Sequence, residues 1–234
     1  VKVLTKVGIL HDCLGAYAES QEYYKACLNI TGKIDIKSEE DDVWTAQGLL
    51  QQHQMQLNLS KESLLKAIEI CKNVNDKGTE CNALLYLGNI QVEMGNLFDA
   101  KEAYYSSIEL WKQLGQLFLT NEPKAGLARV ALQEGKLDEA LGFVEQIMDF
   151  LKDHNLDGTN EPMRIYLTCY QVLQAAGDPR ADEILTQAHA ILMERANKIT
   201  DEAMRTSYLE NVAANRQIVD IFLQKGKVTR KSKG

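Results

Sequence analysis

The sequence predicts an all-α chain, a solenoid of about five stacked helix pairs closed by one further helix, and three observations carry that expectation. The first is composition. Ala, Leu, Glu, Gln and Lys recur throughout, only three prolines occur in 234 residues, and no stretch alternates Val, Ile or Thr between turn residues as a strand would. The second is a period of about 40 residues, visible as four columns of matched side chains. One column reads Gly8, Gly48, Gly88, Ala128; the next Ser20, Ser60, Ala100, Ala140; the third Tyr24, Leu64, Tyr104, Val144; the fourth Cys27, Ala67, Ser107, Ile147. The third observation is a short turn inside the units, Met94-Gly95-Asn96-Leu97 and Glu134-Gly135-Lys136-Leu137, where glycine suits the left-handed end of a helix.

Each unit follows from the same physics. Two antiparallel helices approach to about 8 to 10 Å only where one presents a small side chain at the crossing, and larger neighbours fill the grooves beside it. The first unit, near 1–40, carries Gly8 on its first helix and Tyr24 on its second, with Gly15 between them. The second, near 41–80, opens on the acidic run Ser38-Glu39-Glu40-Asp41-Asp42, where carboxylates favour the positive end of a helix dipole, and continues through Trp44, Gly48 and Ala67. The third and fourth, near 81–120 and 121–160, are the most regular, with Leu87 and Leu127 beside the glycine column and Pro123 in a first helical turn. The fifth, near 161–199, starts at Pro162; its second helix is shifted by one residue, at Ala181 and Ala188, because Gly177-Asp178-Pro179 remodels the turn. Thr200 or Asp201 is then expected to cap a lid helix over 201–224, followed by a basic, disordered tail over 225–234.

The segments "LLYLGNIQVEMGNLFDAKEAYYSSIEL" and "GLARVALQEGKLDEALGFVEQIM" resemble tetratricopeptide (TPR) repeats along their whole length, and the resemblance extends over about residues 1–190. It implies a right-handed superhelix whose concave face, lined mainly by the first helix of each pair, receives an extended or helical segment of a partner. The units exceed the common 34-residue repeat by about six residues, which lengthens the helices by more than a turn. The run from Tyr166 to Ile218, "YLTCYQ…NRQI", resembles the C-terminal end of the repeat region of large multidomain bacterial signalling ATPases and transcriptional regulators. That resemblance implies an upstream nucleotide-binding switch and an effector domain. The start at Val1, on a helix without a cap, leads to the same expectation of a piece of a longer polypeptide.

No catalytic constellation is expected. His11, His53, His154 and His189 lie in different units without an H-E-x-x-H spacing, and neither G-x-x-x-x-G-K-[ST] nor G-x-G-x-x-G occurs. Five cysteines, an odd number with no C-x-x-C, read as buried reduced thiols, so neither a metal nor a cofactor is expected. A net charge of -7 argues against a nucleic-acid surface on the folded body. No apolar run approaches the roughly 18 residues of a membrane span, so a soluble, cytoplasmic chain is expected.

Binding is therefore the expected activity, with a protein or peptide as partner. Side chains three and four apart share a helix face, which assigns an exposed inner stripe of Gln52, His53 and Gln56 in the second unit, Asn82, Asn89 and Glu93 in the third, and Arg129 and Gln133 in the fourth. A clamp for chaperone tails would need paired Lys and Asn on adjacent inner helices. The corresponding positions are Thr5, Thr45, Leu85 and Ala125, with Ile9 and Leu49, and only Asn89 fits. A scaffold or sensor within a larger signalling protein is the leading expectation. A small ligand or signalling peptide sensed by a regulator is the alternative, and self-association through the open N-terminal end is a third.

Overall fold

The computed structural model describes residues 1–34 and 40–231, and the described residues form an all-α helical repeat solenoid. Five antiparallel pairs follow in order: α1 (Lys2–Cys13) with α2 (Tyr17–Ile34), α3 (Glu40–His53) with α4 (Leu57–Val74), α5 (Lys77–Glu93) with α6 (Leu97–Gln113), α7 (Asn121–Gln133) with α8 (Leu137–Leu151), and α9 (Pro162–Ala175) with α10 (Arg180–Asn197). A 3-10 turn over Leu117–Thr120 leads into α7. Helices α11 (Glu202–Glu210) and α12 (Ala213–Lys231) follow, α12 packing on α9 and α10. Of the acidic run, Glu40, Asp41 and Asp42 form the first turn of α3, while Ser38 and Glu39 lie outside the described residues.

The glycine column and the column of larger side chains meet inside each of the first four pairs, 16 residues apart. A Cβ placed on Gly8 would stand 2.5 Å from Tyr24 Cε1, on Gly48 2.5 Å from Leu64 Cγ, and on Gly88 2.5 Å from Tyr104 Cε1. The fourth pair is Ala128 and Val144, both fully buried: a methyl on one helix goes with a smaller side chain on the other. The rings and aliphatic groups of this column are the centre of three successive core clusters running along the stack.

The turns repeat as well. Gly15, Gly95, Gly135 and Gly177 have φ of +73°, +80°, +73° and +68°, and each closes its helix by the same pair of amide bonds, as in Gly95 N–H to Val92 O (3.1 Å) and Asn96 N–H to Gln91 O (2.8 Å). In the second unit this position is Met55, at φ +59° with the same bonds, although a side chain disfavours that conformation by about 1 kcal/mol or more. Met55→Gly is accordingly expected to stabilise the fold by roughly 1 kcal/mol, read as a rise of about 2 to 4 °C in the thermal midpoint. An unchanged or lower midpoint would show that the Met55 side chain offsets its own backbone strain.

The C-terminal end differs from the single helix and disordered tail expected there. Asp201, not Thr200, caps α11 by accepting the Met204 N–H at 2.8 Å. The chain then breaks at Asn211–Val212, and Asn215, 2% exposed, donates its side-chain amide to Tyr208 O at 2.9 Å, which fixes α11 against α12. Helix α12 runs on through Lys231, so the basic residues up to Lys231 are helical, and Lys225 pairs with Asp182 and lies 5.2 Å over the Tyr170 ring. Residues 232–234 of the expected tail lie outside the described residues. Among the described residues no helix is long and apolar enough to cross a membrane.

Candidate functional site

The inner faces of α3, α5, α7 and α9 carry a polar network that ties all five units together. It begins at His53, at the end of α3. Its Nδ1 lies 2.9 Å from Asp12 Oδ1 on α1, and its Nε2 3.5 Å from Glu161 Oε1, just before α9. Burial alone disfavours the imidazolium, but the two carboxylates outweigh it and hold the ring's pKa up at about 10. The charged ring then donates from Nδ1 to Asp12 and keeps Nε2 within ion-pair reach of Glu161. Glu161 is held down to about 2: burial opposes its charge, and Arg164, His53 and Arg129 overcome that opposition.

Arg164 reaches Glu161 Oε2 at 3.3 Å and Glu93 Oε1 at 3.2 Å, and Glu93 Oε1 also accepts Gln52 Nε2 at 2.7 Å. Arg129 is held differently. Its guanidinium donates to three neutral oxygens, Asn89 Oδ1 (2.7 Å), Tyr104 Oη (3.2 Å) and Thr168 Oγ1 (3.2 Å), while the buried Nε has no partner. The Tyr104 hydroxyl in turn donates to Asn89 Oδ1 at 2.8 Å. Behind this layer the carboxylate of Glu122, 6% exposed, accepts the Glu161 N–H at 2.7 Å and Asn160 Nδ2 at 3.1 Å. Burial raises its pKa to about 7, against the lowering effect of those donors.

Two cavities open onto this network. One, of about 230 Å³, has apolar walls from Ile9, Leu49, Tyr86, Met163 and Tyr208. The other, of about 270 Å³, is lined by Gln52, Met55, Glu93, Arg129, Leu167 and Gln171 on one side and by Ala213 and Gln217 of α12 on the other. His53, Glu161, Arg164, Val212 and Ala214 line both, so the two are neighbouring parts of one groove.

Four of the residues expected on the inner stripe, His53, Gln52, Glu93 and Arg129, line this groove, but the stripe is less exposed than the helical spacing suggests. Asn89 is 1% and Gln52 2% exposed, and both are taken up by hydrogen bonds to neighbouring units. The reason is geometric: residues one repeat apart on adjacent inner helices stand beside each other, so polar columns pair with themselves. Asn82 is half-buried and accepts from Asn160 Nδ2 at 3.1 Å. Gln56, the residue before α4, and Gln133, which ends α7, are exposed. Helical spacing missed Asp12, Tyr104, Glu122, Glu161, Arg164 and Thr168. A sequence signal for some of them existed, since Asp12 and His53 stand 41 residues apart and Arg129 and Thr168 39.

One thiol, the partly exposed Cys13, stands in the wall of the apolar cavity, and burial, with the Asp12 and Glu161 carboxylates, pushes it up to about 12, where a thiolate is scarce at neutral pH. Cys27, Cys71, Cys81 and Cys169 are buried, and burial pushes the Cys71, Cys81 and Cys169 thiols up to about 12 as well. Among the described residues no group of three or more His, Cys, Asp or Glu is placed to hold a metal ion.

No family model matches the sequence, and no curated protein matches it. Solved structures do. The chain superposes on the Rap conjugation gene regulator of plasmid pLS20, solved with the Phr* peptide, with a TM-score of 0.68 at 16% identity over 93% of this chain and 61% of that one. TPR-like repeats described as those of a Podosopora anserina kinesin light chain give 0.57 at 15% identity, covering 86% of this chain and 97% of theirs. A signal transduction ATPase with numerous domains and a tetratricopeptide repeat sensor, from Pyrococcus horikoshii, gives 0.60 at 18% identity over 99% of this chain. This chain spans 36% of that ATPase. At such identities the likeness is one of architecture, and with the 40-residue columns it places the chain among folds of the tetratricopeptide-repeat type.

Proposed function

We propose that this chain is a protein-interaction module that holds a peptide or a segment of a partner protein in the groove between α3, α5, α7 and α9. The observation that carries the reading is the groove itself. It has two adjoining cavities of a size that takes a few side chains, apolar walls, and fixed polar groups at His53, Glu93, Arg129, Glu161 and Arg164. Such a mixture suits a peptide, whose backbone needs donors and acceptors and whose side chains need apolar walls. The stripe from Gln52 to Gln133 serves it in two ways. His53, Glu93 and Arg129 face the groove, and the buried Gln52 and Asn89 hold Glu93 and Arg129 in place.

A short signalling peptide, with the chain as the sensor region of a larger regulator, is the narrower form of this reading. It is favoured by the likeness to the Rap regulator, which was solved with a peptide. A pentapeptide library screened by thermal shift tests both forms, because a ligand at 100 times its Kd adds about 2.7 kcal/mol to stability. Binders should emerge whose shift disappears in Gln171→Trp, a substitution that fills the larger cavity. The proposal is refuted if every binder shifts the Gln171→Trp variant as much as the parent.

A further inference from the structure

The last two helices do more than cover the end of the stack. The α11–α12 corner returns across the groove to the first turn of the chain, closing a contact between residues nearly 200 positions apart. Asn211 makes it: its Nδ2 donates to Gly15 O at 3.2 Å, and its own carbonyl accepts the Tyr17 hydroxyl at 3.2 Å. The approach is tight at one point, since a Cβ on Gly15 would lie 2.8 Å from Ser207 O and 2.9 Å from Asn211 Cβ. The equivalent turn glycines Gly95, Gly135 and Gly177 have nothing within 4 Å of that position. Gly15 is thus both a helix end, like the others, and a docking surface, unlike them.

The contact is narrow and the elements that make it are shallowly held. Helix α11 buries none of its residues fully, though Tyr208 and Leu209 pack half-buried on the core as Ala214 does, and in α12 Asn215 and Ile218 are the buried ones among its described side chains. Asn215 bonds within the corner itself, to Tyr208 O, so α11 and the start of α12 form one small body resting on α9 and α10. Segments with few buried side chains open at lower free energy than the core they rest on. Val212, Ala213, Ala214 and Gln217 of this body form the far wall of the groove. The contact is also joined to the groove's polar network, because the Tyr17 ring packs against the His53 ring at 5.5 Å between centroids.

We propose that α11 and the start of α12 form a gate over the groove, latched by Asn211 on Gly15 and Tyr17, which widens the mouth of the groove when it swings off the first unit. The latched gate roofs part of the open channel of a solenoid and leaves both cavities partly open. A partly roofed groove admits small probes more readily than bulky ones. Tyr17 couples gate and groove: an occupant that displaces the His53 ring moves the ring whose hydroxyl holds the latch. The gate stands whatever the groove holds, and it is tested on the chain alone.

Tyr17→Phe/Asn211→Ala removes both latch hydrogen bonds without adding volume. Hydrogen exchange should show amides of α11 and the first turns of α12 exchanging roughly 10- to 30-fold faster in this variant, with amides of α5 to α8 unchanged. In a Cys13→Ser background, the thiol introduced by Gln171→Cys reports access to the groove. Its reaction with a 5 kDa polyethylene-glycol maleimide should accelerate by a similar factor in the latch variant, and its reaction with iodoacetamide by less. Unchanged exchange in α11 and α12, acceleration spread evenly over α5 to α8, or a groove thiol whose rate ignores the latch would each overturn the gate.

Discussion

Gly126→Ala is expected to be among the most damaging single-methyl changes in the molecule. The added Cβ would stand 2.3 Å from Tyr104 Cζ and 2.4 Å from Cε1, well inside contact distance. The ring has nowhere to retreat. It is fully buried, it already lies against Gly88 of α5, and its hydroxyl is bonded to Asn89 and Arg129. Forced overpacking of this kind costs about 3 kcal/mol, which for a chain of this length lowers the thermal midpoint by roughly 6 to 12 °C. Gly95→Ala is the control: it places a methyl at φ +80° with nothing within 4 Å and should cost only about 1 kcal/mol of backbone strain. Shortening the ring in Tyr104→Leu/Gly126→Ala should return part of the loss, a coupling that marks the two residues as neighbours. Equal losses in Gly126→Ala and Gly95→Ala, measured by urea unfolding, would show that α7 can shift away from the ring.

Tyr104 also separates what the sequence discloses from what it hides. Its contact with Gly88 lies within one helix pair, has counterparts at the same offset in the first four units, and is therefore visible as two columns. Its contact with Gly126 lies between pairs. The column through Gly126 reads Lys6, Ala46, Tyr86, Gly126 and has no common size, so no repeat register can reveal it. The apolar contacts within units are repeated and legible, whereas this apolar contact between units is not repeated. The break at Asn211–Val212 was hidden for another reason. It contains neither Gly nor Pro, and the side-chain bond from Asn215 to Tyr208 O that stabilises the corner depends on tertiary packing.

The groove follows the same division. The faces of the inner helices were readable, and four stripe residues line the groove. Their state was not, because helical periodicity gives direction without neighbours. Once the solenoid is formed, Asp12 meets His53, Gln52 meets Glu93 and Asn89 meets Arg129, each pair 40 or 41 residues apart. These pairs hold adjacent units in register. Asn89→Ala and Arg129→Ala would therefore disturb Tyr104 and the stack as well as any partner, which is why the cavity-filling change at Gln171 is the sharper probe of binding.

The same network gives the stability of the chain a definite pH dependence. Glu122 has a folded pKa raised from 4.5 to about 7, chiefly by burial. Between those values the folded chain keeps a proton that the unfolded chain releases, so stability falls as pH rises through this window, by about 3 kcal/mol in all. His53, raised from 6.5 to about 10, adds a second loss above pH 6.5 as its proton is drawn off and the Asp12 and Glu161 carboxylates lose their cation. Glu161 acts in the other direction: held down to about 2, it contributes stability that is complete above 4.5 and lost as pH falls toward 2. Taken together, these three groups stabilise the fold most near pH 4.5 to 5. Glu122→Gln separates them, because glutamine cannot ionise and keeps an acceptor for the Glu161 N–H while giving up the one that Asn160 uses. Urea midpoints of the variant should be flat between pH 4.5 and 6.5, should exceed the parent's at pH 8, and should still fall above pH 7 through His53. A parent midpoint that does not decline between pH 5 and 7 would mean that Glu122 ionises in place, its charge carried by Asn160 and the Glu161 N–H.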